Sequence, residues 1–210
     1  MEFGVTKKLK QYTNKQKILL VGEGDFSFSL SLAKAFGSAT NITATSLDTR
    51  EELGRKYSNG KANAEELERF GCNVVHGVNV HSMASDYRLD RYDRIVFNFP
   101  HSGSGFGCEH NNDYIMLHQQ VVRGFFESAK KMLKDEDGEI HVTHKTNIPF
   151  CMWEIETLAG QKGLRLIGKI EFEQSSFPGY SNKRGAGSNC NDSFPIYNAT
   201  TFMFKKYALF

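Results

Sequence analysis

Apolar and polar positions along this chain follow two periods in turn. Ile18–Val21 is a short apolar run, read as a buried strand, that breaks at Gly22 and Gly24. Helical spacing follows through Phe28, Leu32, Ala35 and Phe36. Residues 42–47 predict a second strand ending at Asp48, and residues 51–70 a helix interrupted around Asn59 and Gly60. Asn73–His76 predicts a short third strand. Residues 92–99 are almost continuously apolar, as in a strand covered on both faces. The strongest helical pattern spans 113–134, where Ile115, Val122, Phe125, Phe126, Ala129, Met132 and Leu133 share one face. Asn112 or Asp113 suits its start; Lys130, Lys131 and Lys134 suit its end. A strand at 139–144, a helix at 150–161 closed by Gly163, and strands at 164–172 and 200–206 complete the order. A long polar loop, 174–197, separates the last two strands; loops of this length are usually functional or mobile.

Strand and helix alternate until the end, where two strands follow without a helix. The alternation predicts an α/β, doubly wound, mainly parallel sheet, and the ending a hairpin-like pair with one antiparallel strand. The pattern contains one domain, 17–207. Before it, residues 1–16 carry Lys7, Lys8, Lys10 and Lys15 and are read as a basic, solvated tail, with an import signal or RNA-contacting arm as the rival reading.

Composition narrows the classes. The 210 residues suffice for one domain with a real core, and 17 Phe predict an aromatic one. A net charge of +2 gives no global argument for nucleic-acid binding, so any such surface is a local patch. Cys72, Cys108, Cys151 and Cys190 form no close pair and read as reduced thiols. Seven scattered His show no metal-ligand spacing, so no metal is expected. No apolar run reaches the length of a membrane span, and no membrane partner is expected.

In a doubly wound sheet, ligands bind outside the carboxyl ends of the strands. Four places qualify. Gly22, Glu23, Gly24 and Asp25, followed by Phe26 and Ser27, form a strand–glycine turn–helix unit of the nucleotide-binding kind. Ser27 stands where a dinucleotide fingerprint has its third glycine, which argues against NAD and leaves room for a smaller adenosyl cofactor. Asp48 lies 24 residues beyond Gly24 and suits two ribose hydroxyls; a helix cap is the competing role. Asn79 and Val80 follow the third strand, where a polar side chain meets an adenine or merely ends a turn. Asn98, Phe99, Pro100 and His101 follow the fourth and resemble the Asn/Asp-Pro-Pro-aromatic tetrad of nitrogen methyltransferases, with Phe and His substituted. Gly103, Gly105 and Gly107 come next, as a lid or a flexible loop. Later, Phe177 and Tyr180 with Lys183 and Arg184 mix rings and cations, as suits unpaired bases and phosphates; a surface turn is the alternative.

In this order, residues 17–29, Gly77-Val78, residues 93–101, Val142-Thr143 with Lys145, and residues 177–180 resemble the large-subunit rRNA (uridine-N3) methyltransferase-like family over almost the whole chain. The resemblance implies a Rossmann-like methyltransferase fold with a seven-stranded sheet, S-adenosyl-L-methionine as cofactor, ribosomal RNA as partner, and a nuclear or nucleolar location, with cytoplasm as the fallback. Carried over, residues 22–27, Asp48, Asn79, Val80 and Asn98 hold the cofactor. Phe99, Pro100, His101, Phe177, Tyr180, Lys183 and Arg184 face the substrate. Asn79 stands where the family commonly carries Asp, and the segment after Tyr180 is less basic than expected. The expected reaction is methyl transfer to uracil N3, with Asn98 aligning the base and His101, or else Asp25, as general base. The rival reading is a non-catalytic paralogue that binds cofactor or RNA. Oligomeric state has no signal in the sequence.

Overall fold

The computed structural model describes residues 5–103, 111–134 and 137–207. Seven strands form the main sheet: β1 (Ile18–Val21), β2 (Ile42–Ser46), β3 (Asn73–His76), β4 (Arg94–Asn98), β5 (Glu139–Lys145), β6 (Leu164–Glu171) and β7 (Ala199–Lys206). Their spatial order is β3-β2-β1-β4-β5-β7-β6. β1 to β5 pair in parallel, and β7 runs antiparallel to both β5 and β6. The five helices are α1 (Ser27–Phe36), α2 (Arg50–Lys56), α3 (Gly60–Arg69), α4 (Asn112–Met132) and α5 (Ile155–Gln161).

The period of two along the strands divides the core. Leu19, Val21, Ile95 and Phe97 join the face packed by α4 and α5. Ile18, Leu20 and Val96 join the opposite face, packed by α1, α2 and α3. Both faces are therefore covered, which is why the central strands read as unbroken apolar runs. Each large apolar side chain so buried contributes roughly 1.5–3 kcal/mol. The chain leaves β1 toward β2 and β3 on one side, then returns to lay β4 on the other. The carboxyl ends of β1 and β4 thus flank the crevice at a topological switch point.

Four expectations change. The segment read as a solvated tail contains a small hairpin, Lys8–Leu9 with Tyr12–Thr13, and Tyr12 is 1% exposed. The Tyr12 hydroxyl lies 3.1 Å from His141 Nδ1 in β5, a hydrogen bond that docks the hairpin. Asn111, not Asn112 or Asp113, caps α4, its Oδ1 accepting from Asp113 N at 2.8 Å. The helix expected at 150–161 is two pieces, because Glu154 takes a left-handed conformation between a 3-10 turn, Phe150–Trp153, and α5. The polar loop is not loose. Asn182 is buried, donates to Phe194 O at 2.7 Å and accepts from Gln174 Nε2 at 3.3 Å, so residues 174–198 form a self-braced strap. Gly105 and Gly107, with Cys108, lie outside the described residues.

Candidate active site

The turn after β1 is built around contacts that exclude side chains. Gly22 has φ +63, and a Cβ there would come within 2.5 Å of the Phe97 ring. Asp25 is buried, and its Oδ1 accepts from Ser27 N at 3.0 Å, closing the turn that opens α1. Phe26 adopts φ +60 and turns its fully buried ring edge-on to His76. Ser27, at the missing third glycine, exchanges two hydrogen bonds with Ser181 of the strap, at 3.0 and 3.1 Å. The departure from the dinucleotide pattern therefore has a use: it anchors the strap over the turn.

Glu23 is the most perturbed acid of the site. Burial pushes its carboxyl up to about 7, against the opposing hydrogen bonds from Ser29; nearby Asp25 pushes the same way. Ser29 Oγ lies within hydrogen-bond reach of both Glu23 Oε2 and Phe26 O, yet has one proton to donate. A protonated Glu23 resolves that conflict by donating to Ser29 Oγ.

Together with Asp48, Lys56, Asn79, Val80, Asn98, Tyr180, Lys183 and Arg184, this turn lines a cleft of about 550 Å³. Asp48 pairs with Lys56. Asn79 also shapes its own loop, its Oδ1 accepting from His81 N at 3.0 Å. Lys183 reaches from the strap to 3.7 Å from Asp25 and donates to Asn191 O at 2.9 Å.

Asn98 ends β4 on the rim of this cleft. Its Oδ1 is buried and has no hydrogen-bond partner among the described residues, an arrangement that costs stability unless a further group completes it. The next residue, Phe99, is held at φ +49, a strained conformation for a ring-bearing residue. Its ring is wedged edge-on between Phe172 and Phe194, at 5.5 and 5.4 Å, so it is a fixed wall. Beyond it a second chamber of about 450 Å³ is lined by Phe99, Pro100, His101, Tyr114, His144, Lys145, Phe150, Trp153, Phe194 and Pro195. Lys183 and Arg184 line both chambers.

His101 borders both chambers, as expected, but its ring is engaged. Nδ1 accepts from Gly103 N at 3.0 Å, and Nε2 lies 3.1 Å from the Tyr114 hydroxyl. A neutral ring that accepts at Nδ1 carries its proton on Nε2, so the lone pair that a general base needs is already used. Phe177 lines neither chamber: it is 3% exposed, stacks on Phe172 at 5.4 Å and packs at a tilt against Phe28 at 4.8 Å. It is a core residue, not a platform for a base. Tyr180 does line the cleft, and burial holds its phenol far above its ordinary value.

The β5 side of the second chamber escaped the sequence reading. His144 is buried, its Nδ1 donates to Lys145 O at 2.7 Å, and burial lowers it to about 4. His118, under the same wall, is lowered to about 3 by burial and the neighbouring His101 and His144, and stacks on Trp153 at 4.2 Å. The carboxyl-end rule applied to a fifth strand would have found His144 and Lys145. Phe150, Trp153, Tyr114 and Phe194 carry no comparable local signal. Among the described residues no group of metal-ligating side chains occurs, and no helix is long and apolar enough to cross a membrane.

Solved structures share this architecture. A TehB-like SAM-dependent methyltransferase from Corynebacterium glutamicum aligns over 91% of this chain and 80% of its own, with TM-score 0.52 and 17% identity. An S-adenosylmethionine-dependent methyltransferase from Clostridium acetobutylicum aligns over 90% and 83%, with TM-score 0.53 and 10% identity. The fold is that of the Rossmann-like S-adenosylmethionine-dependent methyltransferases. Residues 19–184 match the model of the family described as rRNA (uridine-N3-)-methyltransferase BTM5-like, and the chain belongs to that family. Among its relatives, an uncharacterized Arabidopsis thaliana protein is 54% identical over 94% of this chain and 96% of its own length. The heavy metal-associated isoprenylated plant protein 41 of Arabidopsis thaliana is 44% identical over 94% of this chain, which spans 38% of that relative. The 25S rRNA (uridine(2634)-N(3))-methyltransferase of Saccharomyces cerevisiae is 24% identical over 95% of this chain and 75% of its own length.

Proposed function

We propose that this protein is an S-adenosylmethionine-dependent methyltransferase acting on N3 of a uridine in ribosomal RNA. The observation that carries the reading is Asn98: a buried amide oxygen without a hydrogen-bond partner among the described residues, at the end of β4, on the rim of the cleft and next in sequence to Phe99 of the second chamber. The cleft fits S-adenosylmethionine by its chemistry. Gly22 and Gly24 leave backbone exposed where a Cβ would meet Phe97 or Lys183. Glu23 and Asp25 offer carboxylates to an ammonium, Lys183 a cation to a carboxylate, and Asp48 an acceptor for two ribose hydroxyls. Val78, Asn79 and Val80 line the adenine end.

When bound, the group supplies a methyl already activated on a sulfonium. The chain then has only to hold a nucleophile in line with it, a contribution of positioning more than of covalent chemistry. Asn98 aligns the base edge, the fixed Phe99 ring borders both the cofactor cleft and the second chamber and steers the base at their junction, and Pro100 with His101 borders the chamber that receives the base. The base must be unpaired or flipped to enter. Arg184 and Lys183 on the strap suit phosphates. The RNA substrate class favours the nucleus and nucleolus as the place of action.

Calorimetric titration with S-adenosylmethionine and S-adenosylhomocysteine tests the cofactor. Incubation with ribosomal RNA, followed by nucleoside mass spectrometry for N3-methyluridine, tests the reaction. Absence of saturable binding in a folded preparation would sink the reading.

A further inference from the structure

We infer that the second chamber receives the target base and that Lys145 is a catalytic residue there, its ammonium neutralising the oxygen that turns anionic when the uracil imide loses its N3 proton. The inference rests on the uridine reading above and supplies what that reading lacks, a means of making N3 nucleophilic. A neutral imide nitrogen shares its lone pair with two carbonyls and attacks poorly. The imide anion attacks well, with its charge spread over N3 and both oxygens. A site therefore gains either from a proton acceptor or from a fixed cation that favours the anion.

Among the described residues the proton acceptors are poorly placed: Asp25 lies in the cofactor cleft, its Oδ1 accepting from Ser27 N. His101 uses its Nδ1 lone pair on Gly103 N–H. His144 and His118 are buried, and their basicity is depressed. Tyr114 engages His101. Three cations line the chamber: Lys145, Lys183 and Arg184. Lys183 turns toward Asp25 and Asn191 on the cofactor side, and Arg184 is exposed on the strap. Lys145 differs. Its ammonium lies 4.3 Å from the Phe150 ring centre and 5.0 Å from that of Phe194, so two rings fix it while screening it from water. It stands at the carboxyl end of β5, two residues beyond Thr143, the register partner of Asn98. Asn98 and Lys145 thus address the base from adjacent strands. An opposite charge within about 4–6 Å shifts an acidity by about 1–3 units, which raises the anionic fraction at neutral pH by about 10- to 100-fold before it saturates. The N3 proton leaves to water. The N3 lone pair then forms the new N–CH₃ bond as the C–S bond breaks with its electron pair on sulfur. Cytosine, which has no imide proton to lose, gains no such activation from the same cation.

Trp153 is the chain's single tryptophan and lines this chamber, so its fluorescence reports occupancy directly. The test titrates single-stranded oligonucleotides containing uridine, 5-fluorouridine (a more acidic imide) or cytidine into wild type, Lys145→Met and Lys145→Arg, each first checked for folding by thermal denaturation. Wild type should bind the fluorinated oligomer more tightly as pH rises through the imide titration. Lys145→Met should lose that pH dependence, and Lys145→Arg should retain it. In turnover, Lys145→Met should lose about 10- to 100-fold at neutral pH. Its rate should recover at higher pH and with 5-fluorouridine, and its affinity for S-adenosylhomocysteine should be unchanged. A Lys145→Met enzyme with the wild-type pH–rate profile would overturn the role of Lys145. Loss of rate in step with loss of cofactor affinity would do the same. Wild type that shows the pH-dependent fluorescence response but forms no N3-methyluridine would overturn the reaction while upholding the chamber as a seat for an imide anion.

Discussion

Asp48, at the carboxyl end of β2, accepts a hydrogen bond from the ammonium of Lys56 at the last position of α2. The pairing is a consequence of α2 itself: Thr49 and Glu52 cap its start reciprocally, which fixes the helix just after Asp48 and brings Lys56 back over it. The acceptor proposed for two ribose hydroxyls is thereby held in place by a cation on one side, with the Tyr57 hydroxyl also in hydrogen-bonding reach. Asp48→Ala should weaken S-adenosylhomocysteine about 10- to 100-fold, the scale of hydrogen bonds to a charged group. Lys56→Met should retain most of the affinity. Calorimetry reads both, and an Asp48→Ala protein that binds like wild type would remove Asp48 from the site.

The two glycines of the turn predict different penalties. Gly22→Ala meets both a left-handed backbone and the Phe97 ring, and should cost about 2–4 kcal/mol. Gly24 has ordinary φ, and an added Cβ would approach Lys183 Cβ at 3.1 Å, which need give by only a few tenths of an ångström, so Gly24→Ala should cost less, about 1 kcal/mol. Urea denaturation of the two variants tests the ordering; equal losses would contradict it.

Glu23 makes stability depend on pH in an unusual sense. Its carboxyl is raised from 4.5 to about 7 in the fold, so between those values the folded chain keeps a proton that the unfolded chain has released. Stability contributed by this group therefore falls as pH rises through that window and is level above it. Glu23→Gln should abolish the fall and raise the melting temperature of the ligand-free protein at pH values above about 7 by a few degrees. Binding of a cationic ligand beside Glu23 should also expel its proton. The binding heat near neutrality should then scale with the ionisation enthalpy of the buffer in wild type and not in Glu23→Gln.

The N-terminal hairpin is part of the domain. Tyr12→Ala should cost about 3–5 kcal/mol, as for a buried aromatic truncated in a core. Tyr12→Phe, which removes only the bond to His141, should cost about 1 kcal/mol. Chemical denaturation would show Tyr12→Ala near wild type if the segment were a solvated tail.

The sheet was legible in the sequence because its signals are local. The runs at 18–21 and 94–98 are apolar throughout since both faces are covered, and the interruption at Asn59 and Gly60 marks the break between α2 and α3. The glycine turn, Asp48 and Asn98 were legible for the same reason, since each stands at a strand's carboxyl end. Tyr12 was not, because one buried aromatic in a lysine-rich segment has no period. Phe177 was misread as a surface ring because its burial depends on Phe28 and Phe172, far apart in sequence. The second chamber was missed because it is assembled from four separate segments that meet only in the fold.

β7 enters the sheet between β5 and β6, and this has a temporal side. A chain emerging from the ribosome has already made the glycine turn, Asp48, Asn98 and Lys145 when β5 is complete. The strap with Lys183 and Phe194 and the strand that covers the edge of β5 come only at 174–206, after β6 has ended at Glu171. Until then β5 presents an unpaired edge, a liability in a nascent chain. The pocket's outer wall and the sheet's closing strand are one continuous piece, so the nascent protein becomes able to seat a ligand at the moment it ceases to be sticky.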